Sequence, residues 1–293
     1  MVTRFSRKPT STRQKVRVGL VQMKMSADPA ENLTAAAKRI AHLAKQGADV
    51  VCLPELFLTP YFCQAEDKKF FAFAEPIPGP TSRALADIAR QNKVAIVTSL
   101  FERSRKKFYN TALVISPDGK VNAQYRKMHI PDDPKNYYAE AFYFSPGKQG
   151  AITVGIHGVT VSPMICWDQW FPEGARAAAA GGAEIIFYPT AIGWQVKDKH
   201  GVNQAEYDAW QTIQRAHAIA NNTFVIAVNR VGKEGHLRFW GTSFVSDPYG
   251  RIIAKASNTK EQDLLVTCDL SLIPKMRRDW PFLTARRYSL LQK

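Results

Sequence analysis

The sequence predicts an α/β fold: two β-sheets packed face to face with helices outside, assembled from two related halves. Strand-like and helix-like segments alternate along the 293 residues. The strands read as near-continuous apolar runs, as expected of sheets buried on both faces. The second half also echoes the first at offsets of about 130–135 residues. Gly47-Ala48-Asp49-Val50-Val51 resembles Gly182-Ala183-Glu184-Ile185-Ile186, and both runs lead to a proline, Pro54 and Pro189. Asn92 through Val97 resembles Asn222 through Ala227, and Thr111 through Gly119 resembles Thr242 through Gly250.

Val16–Met23 reads as a strand. Glu31–Gln46 has helical spacing, with Leu33, Ala37, Ile40 and Leu43 on one face. Asp49–Leu53 is a buried strand, Ser82–Gln91 a helix and Val94–Leu100 a strand. Asn110–Ser116 and Lys120–Lys127 form a hairpin around the turn signal Pro117-Asp118-Gly119. Further strands fall near Val159–Ile165, Glu184–Tyr188, Phe224–Asn229, Thr242–Ser246, Arg251–Lys255 and Leu264–Asp269. Helices fall near Pro172–Ala180 and Asn203–Asn221. The expected organisation is a basic arm over residues 1–15 and one domain over 16–288.

An apolar content of 45% suits a globular protein with a large core. No apolar run is long enough for a membrane span, and the N-terminus lacks an apolar signal region. Four cysteines without a Cys-x-x-Cys pair do not make a disulfide framework. A reducing, cytoplasmic compartment is expected. The net charge of +15 invites a nucleic-acid reading, but residues 1–16 carry +5 and 275–293 carry +5, leaving +5 for the body. The terminal segments are the places to meet acidic surfaces, neighbouring subunits included. No basic-aromatic ladder supports nucleic-acid binding.

Three strand ends carry chemistry. Cys166 closes the apolar run Val159–Ile165 and precedes Trp167-Asp168-Gln169-Trp170-Phe171-Pro172-Glu173, which opens a helix. A helix N-terminus aimed at the sulfur would favour the thiolate. Glu55, in Leu53-Pro54-Glu55-Leu56, puts a carboxylate directly after a buried strand, a costly placement unless it is paired or used. Lys127 ends the hairpin in Tyr125-Arg126-Lys127-Met128-His129. Singly, each has a bland reading: a buried thiol, a loop acid, a surface cation. Together they form a set. Glutamate can act as base for the thiol. The ammonium can stabilise charge developing on the attacked group. No metal or cofactor is needed.

These segments resemble the nitrilase, or carbon–nitrogen hydrolase, superfamily from about Val16 to Tyr288. The resemblance implies a four-layer α-β-β-α sandwich with pseudo-two-fold halves, assembled as a homo-oligomer. It implies Cys166 as nucleophile, Glu55 as base and acid, and Lys127 as oxyanion stabiliser, with the Trp167 N–H as second donor. Glu140, before Ala141-Phe142-Tyr143-Phe144, matches a further glutamate that orients the lysine or the substrate.

Within the superfamily, the chain is most similar to amidases acting on N-carbamoylputrescine. Met128–Asp132, Cys166–Glu173, Tyr188–Trp194 and Gly241–Phe244 carry this likeness. It implies hydrolysis of a small carbamoyl amine to putrescine, ammonia and carbon dioxide. Relatives acting on N-carbamoyl amino acids carry arginines three and four positions after the cysteine. Gln169 and Trp170 stand there, so bidentate capture of a carboxylate is lost at that place. Trp170 could line an alkyl chain or face an ammonium; a core aromatic is the alternative. Asp132, Asp168 and Glu173 are candidate partners for the ammonium, and Arg176 remains a position that could serve an acid. The candidate substrate surface is Trp170, Asp132, His129, Asp168, Gln169 and Trp194. The rivals are another amidase or nitrilase of the superfamily and a non-catalytic binding protein on the same fold. His157, His200, His217 and His236 show no metal-ligand spacing, and Cys52, Cys63 and Cys268 read as structural.

Overall fold

The computed structural model describes residues 13–197 and 201–287. Most of the expected basic arm, and everything beyond residue 287, lies outside them.

Two six-stranded sheets form the centre. The first runs Gln262–Asp269, Lys15–Gln22, Val50–Cys52, Ala95–Ser104, Lys107–Ile115, Val121–Arg126. The second, read from its opposite edge, runs Val154–Ile156, Val159–Pro163, Ile185–Thr190, Phe224–Asn229, Phe244–Ser246, Ile252–Lys255. The two orders match position by position, as the sequence echo predicts. In each, the second to fourth strands are parallel and the rest of the sheet pairs antiparallel. The echo extends to backbone conformation. Gly47 and Gly182 both have positive φ, 94° and 100°. Lys93 and Asn222 both close a helix in the left-handed region.

Apolar side chains of the inner faces interlock. Val16, Val18, Leu20, Val50 and Val97 share one core cluster with Val161, Ile185, Phe187, Phe224 and Ile226. Burying each such side chain is worth ~1.5–3 kcal/mol, so this layer is the main cohesion between the halves. On the outer face of the first sheet, Ile40 and Leu43 of the helix Pro29–Lys45 and Leu85 and Ala89 of the helix Pro80–Asn92 cover Val51, Ile96 and Leu113. On the second, Ala175 and Ala178 of the helix Pro172–Ala180 and Ala218 of the helix Asn203–Asn221 cover Ile186, Tyr188 and Val225. The result is the four-layer sandwich the sequence predicts. Asp28 caps the helix Pro29–Lys45 by accepting from the Ala30 N–H, with proline at the first position, where no N–H is needed.

The sequence does not announce the three-stranded sheet of Gly193–Gln195, Val231–Glu234 and Leu237–Trp240, nor the pair Asp132–Asp133 with Tyr138–Ala139. These strands are two to four residues long, too short for a period of two to register.

Candidate active site

Each candidate residue leaves the end of a sheet strand or the loop that follows one. Glu55 comes three residues after Val50–Cys52, Lys127 directly after Val121–Arg126, and Cys166 three residues after Val159–Pro163. Glu140 opens the short helix Glu140–Tyr143. Glu55 and Lys127 come from the first sheet and Cys166 from the second, so face-to-face packing is what assembles the set.

Lys127 is fully buried between two buried carboxylates. Its Nζ is 2.9 Å from Glu55 Oε1 and 2.7 Å from Glu140 Oε2. Two neighbours fix those carboxylates. Asn110 Nδ2 donates to Glu55 Oε1 at 2.7 Å, and the Tyr61 hydroxyl donates to Glu140 Oε1 at 2.8 Å. The consequence for Glu55 is an asymmetry. Oε1 receives two donors, while Oε2 is buried without a partner.

Cys166 sits at φ 38° and begins the 3-10 helix Cys166–Trp170. This left-handed conformation costs a non-glycine residue about 1–3 kcal/mol. The sulfur lies 4.0 Å from the Ala191 carbonyl. Trp167 is the second residue of that helix, in the first turn, whose N–H groups have no acceptor inside the helix.

Burial and charge set the proton inventory. Burial pushes the Cys166 thiol well up, and Glu55 pushes it further, against a smaller opposing pull from Lys127. Burial and the neighbouring carboxylate thus favour the neutral thiol, which calls for a base. Burial acts against the charge of Lys127, but Glu140 and Glu55 outweigh it and hold the group protonated, well above its usual range. Burial raises the Glu140 carboxyl above its ordinary value, with Lys127 opposing.

The expected substrate surface divides. Asp168 is buried with both oxygens occupied. Oδ1 accepts from the His129 N–H at 3.0 Å and faces His129 Nδ1 at 2.7 Å. Oδ2 accepts from the Tyr125 hydroxyl at 2.8 Å and the Ile165 N–H at 3.1 Å. That geometry ties the Lys127 and Cys166 segments together and leaves no lone carboxylate for a substrate ammonium, against the expectation for Asp168. His129 stacks on Phe171 at 3.7 Å. Gln169 is also buried, its Oε1 accepting from Trp210 and Gln214. Its amide oxygen faces the helix Asn203–Asn221, while its Nε2 is buried without a partner. Trp170 and Trp194 pack with Tyr207, Trp210 and Trp240 in one aromatic cluster. Trp170 is partly exposed, and its Nε1 is buried without a partner. Asp132 is exposed and its carboxylate makes no hydrogen bond or ion pair with the described residues. Arg176 lies near Arg286 of the C-terminal segment, which together with burial lowers its pKa. Tyr61 also lines a cavity of about 550 Å³ with Phe62, Phe70, Tyr137 and Glu234.

Reading the sequence missed Asn110, Tyr61 and Tyr125, and also Arg230, whose guanidinium donates to the Glu55 carbonyl. Asn110 carried a faint signal, a polar residue opening the buried strand run Asn110–Ser116. Tyr61, six residues beyond Glu55, carried none. Among the described residues no cluster of three His, Cys, Asp or Glu side chains could hold a metal ion.

A strand-end thiol beside a buried Glu–Lys–Glu array, in a four-layer sandwich of two matching sheets, describes a thiol hydrolase of carbon–nitrogen bonds. The carbon–nitrogen hydrolase family model matches residues 17–278, and the chain belongs to that family. It is 38% identical over 287 residues to an N-carbamoylputrescine amidase of Arabidopsis thaliana, covering 95% of this chain and 94% of that one. It is 36% identical over 280 residues to a citrullinase of Francisella tularensis, covering 94% and 96%. A crystal structure of a carbon–nitrogen hydrolase from Helicobacter pylori G27 superposes with TM-score 0.89 at 37% identity, covering 96% of this chain and 99% of that one. The chain is therefore a hydrolase acting on carbon–nitrogen bonds other than peptide bonds.

Proposed function

We propose that this chain hydrolyses N-carbamoylputrescine to putrescine, ammonia and carbon dioxide through a covalent intermediate on Cys166. The observation that carries the chemistry is the asymmetry of Glu55. With Oε1 held by Lys127 and Asn110, the buried, unpartnered Oε2 is the atom free to take a proton.

The neutral thiol gives its proton to Glu55 as sulfur attacks the carbamoyl carbon. Negative charge develops on the carbamoyl oxygen, where the Lys127 ammonium and the Trp167 N–H stabilise it. Glu55 returns the proton to the leaving nitrogen as the C–N bond breaks. A water molecule, deprotonated by Glu55, then attacks the carbonyl carbon of the sulfur ester; the C–S bond breaks, Glu55 returns the proton to sulfur, and the carbamic acid released breaks down to carbon dioxide and the remaining amine. Glu140 keeps Lys127 protonated and placed throughout.

Several features support a cationic carbamoyl amine. The relatives include N-carbamoylputrescine amidases of four plants. Gln169 and Trp170 stand where relatives acting on N-carbamoyl amino acids carry arginines, and the Gln169 amide oxygen is held by Trp210 and Gln214. Asp132 keeps a carboxylate without a partner among the described residues, the candidate for the distant ammonium, and the partly exposed Trp170 is the candidate to lie along the butyl chain. The similarity to a citrullinase favours a second reading, a ureido acid. All four cysteines are unpaired, which supports a cytoplasmic setting. Trp280 and Phe282, exposed and with ring centroids 5.8 Å apart in a tilted contact, support self-association through the C-terminal segment. No described helix is long and apolar enough to cross a membrane.

The test is ammonia release from N-carbamoylputrescine, N-carbamoyl-β-alanine and L-citrulline, for wild type and Cys166→Ala. Preference for the first, lost in the variant, is the expected result. Preference for either acid would keep the thiol chemistry and overturn the substrate.

A further inference from the structure

We infer that Arg230 is a positioning residue for Glu55, gripping the backbone that carries the base; the inference rests on the proposed role of Glu55.

After the strand Val50–Cys52, the chain reverses through a stretch that makes no regular structure until Phe62. Leu56 sits in the left-handed region at φ 48°. That conformation costs an L-residue roughly 1–2 kcal/mol, and it persists only where surrounding contacts over-determine it. The carbonyls here are buried, and buried carbonyls need donors. Arg230 supplies them. Its Nη2 donates to the Glu55 carbonyl at 2.7 Å and the Leu56 carbonyl at 3.0 Å. Its Nη1 donates to the Thr59 carbonyl at 3.2 Å.

The guanidinium is itself fixed. Arg230 is fully buried, and Nη1 pairs with both oxygens of Glu234 at 3.0 and 3.1 Å. Glu234 Oε2 accepts the Tyr61 N–H at 2.6 Å, so the pair holds the loop at 55, 56, 59 and 61. Tyr61 is also the residue that fixes Glu140. One ion pair thereby sets the backbone of Glu55 and of the tyrosine whose hydroxyl holds Glu140. A buried charge pair is a poor source of net stability compared with apolar packing. A planar donor fork reaching three carbonyls is something an apolar residue, or a lysine, cannot replace.

The test is Arg230→Lys in the full chain, read in two ways. Amide hydrogen exchange needs no substrate; exchange of residues 55–61 should accelerate at least tenfold while the strands of both sheets stay protected. On the carbamoyl amine the wild type prefers, kcat should fall on the order of 100-fold, the scale of an ångström-sized displacement, with KM within about threefold. General loosening of the fold would instead raise KM and speed exchange throughout the sheets. Wild-type kcat, or unchanged exchange at 55–61, would overturn the inference. Localised loosening in a protein that turns over no carbamoyl amine would overturn the substrate reading alone. If Arg230→Lys does not fold, Glu234→Gln carries the test: exchange at 55–61 should rise and kcat should fall with KM unchanged, and no change in either overturns the clamp.

Discussion

Asn110 and Lys127 donate to the same oxygen of Glu55, and the other oxygen is left buried with no partner. A carboxylate held by two donors on one side presents its remaining lone pairs in one direction only. On the proposed mechanism, the free oxygen is the proton acceptor and the other is its anchor.

Asn110→Leu should keep the fold and lower kcat by roughly ten- to a hundredfold with little change in KM, because it frees the carboxylate to rotate without touching substrate contacts. Steady-state kinetics checks this. A rise in KM at constant kcat would place Asn110 in substrate binding instead.

Cys166→Ala should abolish turnover while retaining binding, and Glu55→Gln should be nearly inactive with the fold intact. Calorimetric titration of substrate into Cys166→Ala separates the two functions. Full activity in either variant would remove that residue from the mechanism.

Lys127→Met should be doubly costly. Removing an oxyanion donor typically lowers kcat about 10²–10³-fold. Breaking a buried ion pair by deleting one partner costs ~3–5 kcal/mol of stability, and here two buried carboxylates lose their cation. Urea unfolding at neutral pH should show the loss, and it should shrink as the pH falls and the raised Glu140 carboxyl takes up its proton.

His217 predicts an acid limb in stability. Its Nε2 lies 2.7 Å from the Gln169 carbonyl, and burial lowers its pKa below the ordinary 6.5. The unfolded chain therefore binds this proton more readily than the folded one. The His217 contribution is complete above about pH 6.5 and is lost as the pH falls from there toward the lowered folded value. Denaturant midpoints between pH 7 and 5 should fall less in His217→Gln than in wild type. Equal slopes would assign the acid sensitivity elsewhere.

The fold was legible because its signals are long. The helices Pro172–Ala180 and Asn203–Asn221 and the strand Phe224–Asn229 match the bounds read from spacing and composition, and the repeat at Gly47 and Gly182 foretold two matching sheets. Glu55, Lys127, Glu140 and Cys166 were legible as residue types at strand ends. Their supports were not. Asn110, Tyr61 and Arg230 lie 55, 79 and up to 175 positions from the groups they hold, and nothing local in a sequence marks a contact made across the chain. Asp168 misled for a related reason. An acid two residues from the nucleophile reads as a substrate partner until Tyr125, His129 and Ile165 are seen to occupy it.

The division of the site between the sheets bears on how activity arises during folding. Glu55 follows a strand of the first sheet and Cys166 a strand of the second, so the two come together only when the inner faces close on one another. Enzyme activity recovered during refolding should then lag behind the return of secondary structure and coincide with expulsion of water from the inter-sheet layer. Turnover becomes a clock for that last docking event, and mutations such as Phe187→Ala, in the inter-sheet layer, should slow its arrival.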